Sequence, residues 1–260
     1  MSGSVALPLF DWPELREATD GFWFAFHQRL TQAGFAPPAE LDRARPGAES
    51  WADPQLLFSQ ADAHAHVAGA AAATRLICAP SYEAEGCGGG KVAAVFLARR
   101  GAVARGGAAG ISELAGARFA VGADSLCGLP ALVDALGAAA VGEVEACASP
   151  RDALAALAEG RVDGASVDAL TWALAQEHDP AAAELAPVGW SDPLPAPPFV
   201  TSALTETGAR ARLRAALVET LVDPATEPQR RALKLARIVA FGDPDYDAAR
   251  RLAALARDAG

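Results

Sequence analysis

The sequence has few positive charges. Lysine occurs only twice among 260 residues, and lysine and arginine together number 22 against 32 aspartates and glutamates, which gives a formal net charge of −10. A nucleic-acid-binding surface needs clustered lysine and arginine side chains to neutralise phosphates, and the sequence contains no such cluster. The composition therefore argues against a nucleic-acid partner. It does not argue against a small anionic ligand, which responds to the local field around its site.

Long apolar runs are also missing. No stretch reaches the roughly 18 apolar residues expected of a membrane-spanning helix. The first ten residues lack the basic start and the apolar core of an export signal. We therefore expect no membrane span and a cytoplasmic location. A periplasmic location is the alternative if the N-terminus has been processed or re-started.

Cysteine is scarce and irregularly spaced. The four cysteines, Cys78, Cys87, Cys127 and Cys147, show no Cys-x-x-Cys spacing, which excludes a zinc ribbon and a thioredoxin-type motif. One or two disulfides are compatible with the sequence. Free buried thiols are the better expectation for a chain without an export signal.

Residues 118–136 contain a pattern of strand, turn and helix. An apolar strand ends at Gly122, and apolar side chains recur at helical spacing from Leu129 to Leu136, with a proline where the first helical turn loses no N–H bond. The turn between strand and helix contains Asp124, Ser125, Cys127 and Gly128. Unpaired N–H groups at a helix start favour an anion. The pattern therefore predicts an anion site, with simple capping by Asp124 or Ser125 as the alternative.

A second group of polar residues follows the short apolar strand at residues 56–60. It comprises Ser59, Gln60, Asp62 and His64. Ligands of open α/β sheets bind at the carboxyl ends of strands, so these side chains are predicted to face a ligand. If the segment is extended, His64 and His66 point the same way and could share a metal ion with Asp62. Solvated loop histidines are the simpler interpretation.

The order of elements predicts an α/β protein with two lobes. Strands alternate with helices of about ten residues between residues 101 and 190, which is typical of parallel βαβ crossovers. We expect a first lobe of residues 1–99 and 199–260 and a second lobe of residues 100–198 inserted in it, with a ligand cleft between them. Helices are also predicted over residues 67–73, 206–221, 228–239 and 246–257.

Five short motifs, taken in order, resemble the phosphate/phosphite/phosphonate-binding family of ABC-transporter substrate-binding proteins, which has the type 2 periplasmic-binding-protein fold. The motifs are Leu57-Phe-Ser-Gln60, Tyr82-Glu-Ala-Glu-Gly-Cys87, Asp124-Ser-Leu-Cys-Gly128, the segment from Gly160 to Asp168, and Phe199-Val-Thr-Ser202. The resemblance covers nearly the whole chain. It implies a monomeric protein that closes over a small anionic or zwitterionic ligand, such as a phosphorus oxyanion, for an ABC permease. It implies neither a cofactor nor an enzyme activity.

The resemblance also implies which residues contact the ligand. They are Ser59, Gln60, His64, Tyr82, Asp124, Ser125, Cys127, Gly128, Ser149 and Asp168. For Asp168, which follows a strand and precedes a helix, capping is an equal alternative.

Some of these positions depart from the family pattern. Cys127 stands where the family has a second hydroxyl, Pro150 follows Ser149 where the family has a histidine, and His64 replaces a tyrosine. Each charge-assisted hydrogen bond contributes about 1.5–3 kcal/mol, so losing at least two donors predicts that the fold is kept while tight phosphonate binding is not.

Two other functions remain open on the sequence alone. A cytoplasmic enzyme or sensor on the same fold could use Cys127 as a nucleophile, oriented by Asp168 or His64, or a metal at Asp62, His64 and His66. A partner-binding protein with a vestigial cleft is the third possibility.

Overall fold

The computed structural model of the chain describes residues 3–68, 73–104 and 110–258. The strands are β1 (Ser4–Ala6), β2 (Leu56–Gln60), β3 (Thr74–Tyr82), β4 (Cys87–Gly88), β5 (Lys91–Val92), β6 (Ala94–Arg99), β7 (Phe119–Gly122), β8 (Val144–Cys147), β9 (Gly164–Asp168), β10 (Leu185–Trp190), β11 (Leu194–Pro195), β12 (Phe199–Ser202) and β13 (Leu235–Val239). The helices are α1 (Arg16–Gln32), α2 (Gly47–Ala52), α3 (Ala63–Ala68), α4 (Arg100–Ala104), α5 (Leu129–Leu136), α6 (Pro150–Ala158), α7 (Ala169–His178), α8 (Thr207–Val222), α9 (Glu227–Ala232) and α10 (Asp247–Asp258).

The chain forms two compact units. The first comprises Met1–Glu83 and Pro195–Tyr246, and the second comprises Ala84–Leu194 and Asp247–Gly260. These limits differ from the lobes predicted from the sequence. Strand β6 lies between β9 and β10 in the sheet of the second unit, so residues 84–99 belong there. Helix α10 packs against α5 of the same unit, so the C-terminal helix belongs there as well.

The first unit is built on a five-stranded sheet in the order β1-β2-β12-β3-β13. Strands β1 and β2 are parallel, whereas β12 and β13 run antiparallel to their neighbours. Its core contains a row of aromatic rings. The Phe58 ring lies 4.9 Å from the Phe26 ring and 5.0 Å from the Phe199 ring, measured between centroids. These contacts join α1, β2 and β12.

The predicted helix over residues 228–239 is wrong. Helix α9 ends at Ala232, and Lys234 then adopts a left-handed conformation with φ of 52°, which ends a helix. The next five residues form β13, which pairs with β3. Their backbone hydrogen bonds are therefore made to a strand far away in the sequence. The predicted helix over residues 67–73 is replaced by α3, and residues 69–72 lie outside the described ranges.

The second unit contains a five-stranded sheet in the order β10-β6-β9-β7-β8. Strands β7, β8 and β9 are parallel, as the alternation of strands and helices predicted. Strand β10, which the sequence did not indicate, runs antiparallel to β6. Gly164 is the first residue of β9 and lies against the Phe119 ring, and a β-carbon at this position would lie 2.5 Å from that ring. The carboxyl ends of the three parallel strands lie at one edge of this sheet.

Two further features follow from the described residues. None of the helices in residues 3–68, 73–104 and 110–258 combines the length and the hydropathy needed to cross a bilayer. All four cysteines are free thiols.

Candidate functional site

The turn predicted to bind an anion lies between β7 and α5 in the second unit. It is closed by backbone hydrogen bonds from Ser125 N to Gly122 O at 3.2 Å and from Gly128 N to Ser125 O at 3.0 Å. Helix α5 begins at Leu129, and no side chain caps its first turn. The N–H groups at its start therefore have no side-chain acceptor.

Gly128 is required by close packing of the turn on itself. A β-carbon at this position would lie 3.0 Å from Gly122 O and 3.1 Å from Ser125 O. These two carbonyl oxygens accept the hydrogen bonds that close the turn. A side chain at position 128 would therefore crowd both carbonyl oxygens and disturb the two hydrogen bonds that close the turn.

Neighbouring strands also hold the turn. The hydroxyl of Ser166, on β9, donates to Cys127 O at 2.6 Å, and Ala123 N donates to Cys147 O of β8 at 2.9 Å. Sequence reasoning missed Ser166. The sequence signal that could have pointed to Ser166 is a hydroxyl residue inside a short strand, β9, all of whose residues are buried.

Ser125 supplies the available donor of this turn. The residue is only 6% exposed, yet its hydroxyl makes no hydrogen bond within the part of the chain that the structure describes. Among the described residues, the fully buried side-chain atoms that lack a partner do not include the Ser125 hydroxyl, so this hydroxyl keeps some access to solvent. It can therefore donate to a ligand oxygen without breaking a bond inside the turn.

Cys127 and Asp124 occupy different environments in the same turn. Cys127 is buried, with 3% of its surface exposed, so it packs as a small apolar side chain. Asp124 is exposed to solvent. Burial of the Cys127 side chain does not favour the alternative in which its thiol acts as a nucleophile.

The parallel strands bring three predicted residues to one sheet edge. Gly122 pairs with Cys147 and Val121 pairs with Ser166 in the register of β7, β8 and β9. The turn after β7, Ser149 after β8 and Asp168 at the end of β9 therefore follow neighbouring strand ends. Ligands of open α/β sheets bind at this carboxyl edge, and a ligand contact by these positions stays a prediction.

Asp168 caps α7. One carboxylate oxygen accepts from Thr171 N at 2.8 Å, and the other accepts from the Thr171 hydroxyl at 2.6 Å. Burial raises the pKa of Asp168, and the hydrogen bonds from Thr171 oppose that rise. The capping alternative is therefore present in the structure, and a ligand contact by this carboxylate stays a prediction.

Ser149 caps α6 in a similar way. Its hydroxyl accepts from Asp152 N at 3.2 Å and donates to the Asp152 carboxylate at 2.7 Å. Its hydroxyl is thus engaged within its own helix.

In the first unit, Ser59, Gln60 and Tyr82 are buried and joined to internal partners. Ser59 Oγ accepts from the Trp51 indole N–H at 3.2 Å. The Gln60 amide nitrogen donates to the Tyr82 hydroxyl at 2.7 Å and to Pro197 O at 3.0 Å. These bonds give Gln60 a structural role, and its contact with a ligand stays a prediction.

The segment that carries the histidines is helical rather than extended. Helix α3 begins at Ala63, and Asp62 Oδ1 accepts from His64 N at 2.6 Å. His66 packs its ring against Tyr246, with centroids 5.0 Å apart. Side chains two positions apart point in different directions on a helix, so the geometry assumed for a shared metal ion is wrong. Within the described ranges, no three His, Cys, Asp or Glu side chains are grouped as metal ligands would be.

A cavity of about 350 Å³ lies elsewhere in the second unit. Its lining consists of Arg100, of four side chains of α7 and of the segment after that helix, namely Trp172, Gln176, Glu177, His178, Asp179, Pro180, Ala182 and Ala183. It adjoins the C-terminal end of α7, whereas Asp168 lies at the N-terminal end of that helix. None of the predicted site residues lines it.

Solved structures share this fold at low sequence identity. A binding protein component of an ABC phosphonate transporter from Pseudomonas aeruginosa has 14% identity and a TM-score of 0.74, with 99% of this chain and 88% of that chain covered. PhnD1 from Prochlorococcus marinus, in complex with methylphosphonate, has 12% identity and a TM-score of 0.72, with 96% of each chain covered. XAC2383 from Xanthomonas citri, bound to ATP, has 13% identity and a TM-score of 0.71, with 99% and 98% covered. The predicted type 2 periplasmic-binding-protein fold is confirmed.

The family comparison corrects the predicted location and supports the predicted family. Residues 64–248 match the family described as "ABC transporter, phosphonate, periplasmic substrate-binding protein". A comparison with curated proteins gives no match. The predicted cytoplasmic location is wrong, because the matched family is periplasmic. The family is one of transporter binding proteins, not of enzymes. Since the match covers more than half of the sequence, this chain belongs to the family of periplasmic substrate-binding proteins of phosphonate ABC transporters.

Proposed function

We propose that the chain binds a small anionic or zwitterionic solute, with a phosphorus oxyanion as the first candidate, and delivers it unchanged to an ABC permease. Family membership supports the class of function. PhnD1, one of the similar structures, is in complex with methylphosphonate, which supports the class of ligand.

The observation that carries the proposal is the unpaired Ser125 hydroxyl. It lies in a turn that is closed by its own backbone, at the start of α5, and it makes no hydrogen bond to the described part of the chain. A phosphorus oxyanion supplies charged acceptors for this hydroxyl and for the N–H groups of the helix start. The binding energy then comes from donors that are fixed before the ligand arrives, so little ordering entropy is lost.

The same turn suggests a diverged specificity. Cys127 gives a weaker donor than a second hydroxyl would, and the Ser149 hydroxyl is already bonded to Asp152. The exposed carboxylate of Asp124 is available at this edge of the second unit to accept from an amino group, whereas both carboxylate oxygens of Asp168 already accept from Thr171. We therefore propose that a zwitterion with an amino group binds more tightly than inorganic phosphate.

Ligand-dependent thermal unfolding tests the proposal. The panel is inorganic phosphate, phosphite, methylphosphonate, 2-aminoethylphosphonate and sulfate, with zinc as a comparison. Saturation at about 100 times the dissociation constant adds about 2.7 kcal/mol to the unfolding free energy, which is a shift of several degrees. We expect a selective shift with one phosphorus oxyanion and quantitative recovery of that compound by phosphorus NMR. A shift with zinc alone, or conversion of the oxyanion, would contradict the proposed function.

A further inference from the structure

We infer that Ser166 is a positioning residue for oxyanion binding, acting through the Asp124–Gly128 turn rather than by touching the ligand. The inference rests on the proposed function, because it assigns a role in the binding site described above. Ser166 lies on β9 and is completely buried. Its hydroxyl donates to Cys127 O at 2.6 Å, a contact between residues 39 positions apart in the sequence.

The bond from Ser166 completes the fixation of one peptide group. The peptide that joins Cys127 to Gly128 has its carbonyl held by the Ser166 hydroxyl and its N–H held by Ser125 O at 3.0 Å. With both ends bonded, this peptide cannot rotate without breaking a buried hydrogen bond. Cys127, whose carbonyl the Ser166 hydroxyl holds, lies two positions after Ser125.

The direction of the Cys127 carbonyl matters for an anion. A carbonyl oxygen that turned toward a bound oxyanion would repel it, since both carry negative charge. The Ser166 hydroxyl binds that oxygen on the side of the sheet. It thereby keeps a competing negative pole away from the ligand and leaves the Ser125 hydroxyl as the donor of the turn.

Position and register make Ser166 suited to this role. Ser166 pairs with Val121 of β7, directly before the turn, and it lies two residues before Asp168 on the same face of β9. Strand β9, which ends at Asp168, therefore also holds the Asp124–Gly128 turn through Ser166. Movement of β9 at this edge would be transmitted to Ser125 through the Ser166–Cys127 hydrogen bond and the bond from Gly128 N to Ser125 O.

The first test is calorimetric titration of the full chain with 2-aminoethylphosphonate, and with methylphosphonate as a second probe. We expect Ser166→Ala to raise the dissociation constant on the order of tenfold, because the charged hydrogen bond from a misplaced hydroxyl is weakened. Ser166→Thr, which keeps the hydroxyl on a strand, should restore the affinity. Thr220→Ala is the matched control, since it removes a buried 2.9 Å hydroxyl-to-carbonyl bond to Ala216 O in the first unit. That variant should lose stability and keep its affinity.

The second test distinguishes positioning from general loss of structure. In a Ser125→Ala background the hydroxyl to be positioned is gone, so adding Ser166→Ala should change the dissociation constant by less than about twofold. If Ser166→Ala does not fold, Ser166→Cys takes its place with the same expectations, because it keeps the volume and donates only weakly.

Three results would overturn the inference. They are an unchanged affinity in Ser166→Ala, the same loss of affinity with and without Ser125, and an equal loss in Thr220→Ala. If the unsubstituted chain binds neither probe, the proposed function fails first and the role of Ser166 falls with it. If the unsubstituted chain binds and Ser166→Ala binds equally well, only the role of Ser166 fails.

Discussion

Replacing Gly128 with alanine should damage the Asp124–Gly128 turn, the proposed anion site, more than the small size of the added methyl group suggests. The added β-carbon would lie 3.0 Å from Gly122 O, 3.1 Å from Ser125 O and 3.2 Å from the Val121 β-carbon. Two of these three atoms are backbone carbonyl oxygens that accept the hydrogen bonds closing the turn. They cannot move aside by changing a side-chain rotamer. The backbone of the turn must therefore shift to admit the methyl group.

The expected cost can be estimated from overpacking. Inserting a methyl group into a well-packed site costs typically about 1–3 kcal/mol. We expect a loss of this size in the unfolding free energy of Gly128→Ala, measured by urea denaturation. Affinity for methylphosphonate should fall on the order of tenfold or more, because the shift moves the Ser125 peptide. Calorimetric titration measures the second effect.

Gly208→Ala is the matched control for this substitution. Gly208 lies in the first turn of α8, and a β-carbon there meets no atom within 4 Å. Alanine at such a helical position should be neutral or stabilise by about 0.4–1 kcal/mol. The reasoning is refuted if Gly128→Ala matches Gly208→Ala in both stability and affinity.

Three further substitutions have expected outcomes. Burial raises the pKa of Asp168, so the carboxyl group of Asp168 holds its proton more tightly in the folded chain than in the unfolded chain. The contribution of Asp168 to the unfolding free energy therefore falls as the pH rises from the ordinary pKa of an aspartate through the raised pKa. The unfolding free energy of the unsubstituted chain minus that of Asp168→Asn should therefore decrease over this pH window, and an increase in urea titrations would contradict the assignment. Tyr82→Phe removes an acceptor of the buried Gln60 amide and should cost about 1–3 kcal/mol by urea denaturation, whereas no change would show that Gln60 finds another partner. Phe58→Ala, in the centre of the aromatic row, should cost about 3–5 kcal/mol, and a loss below 1 kcal/mol would mean that the core refills the space.

Local signals in the sequence predicted the conformation of the Asp124–Gly128 turn. The apolar strand before Gly122, the helical spacing from Leu129 and the polar residues between them all lie within 19 consecutive positions. Their interactions are largely backbone bonds between near neighbours. A pattern of this length determines its own conformation to a large extent, so the strand, the turn and the helix were each predicted.

Contacts between distant residues could not be predicted in the same way. Ser166 reaches Cys127 only because β9 and β7 are neighbours in the sheet. Strand β13 was predicted as a helix because its pairing with β3 is not visible in its own sequence. The limits of the units depended on the pairing of β6 and on the packing of α10, which are also long-range.

The metal alternative failed for a local reason. It required an extended segment from Asp62 to His66, and alanine at every second position was compatible with either a loop or a helix. The carboxylate of Asp62 accepts from His64 N, which starts α3 at Ala63. Aspartate before an alanine-rich segment is typical of a helix start, and this signal could have been used.

The most direct test of the proposed function is the affinity of Ser125→Ala for 2-aminoethylphosphonate, measured by calorimetry beside the unsubstituted chain. Ser50→Ala is the matched control, because Ser50 Oγ, like the Ser125 hydroxyl, has no hydrogen-bond partner in the described ranges, yet it lies in α2 of the first unit. The account predicts one site per chain, affinity reduced on the order of tenfold or more in Ser125→Ala, and unchanged affinity in Ser50→Ala. Equal affinity in all three proteins would contradict an oxyanion contact by Ser125.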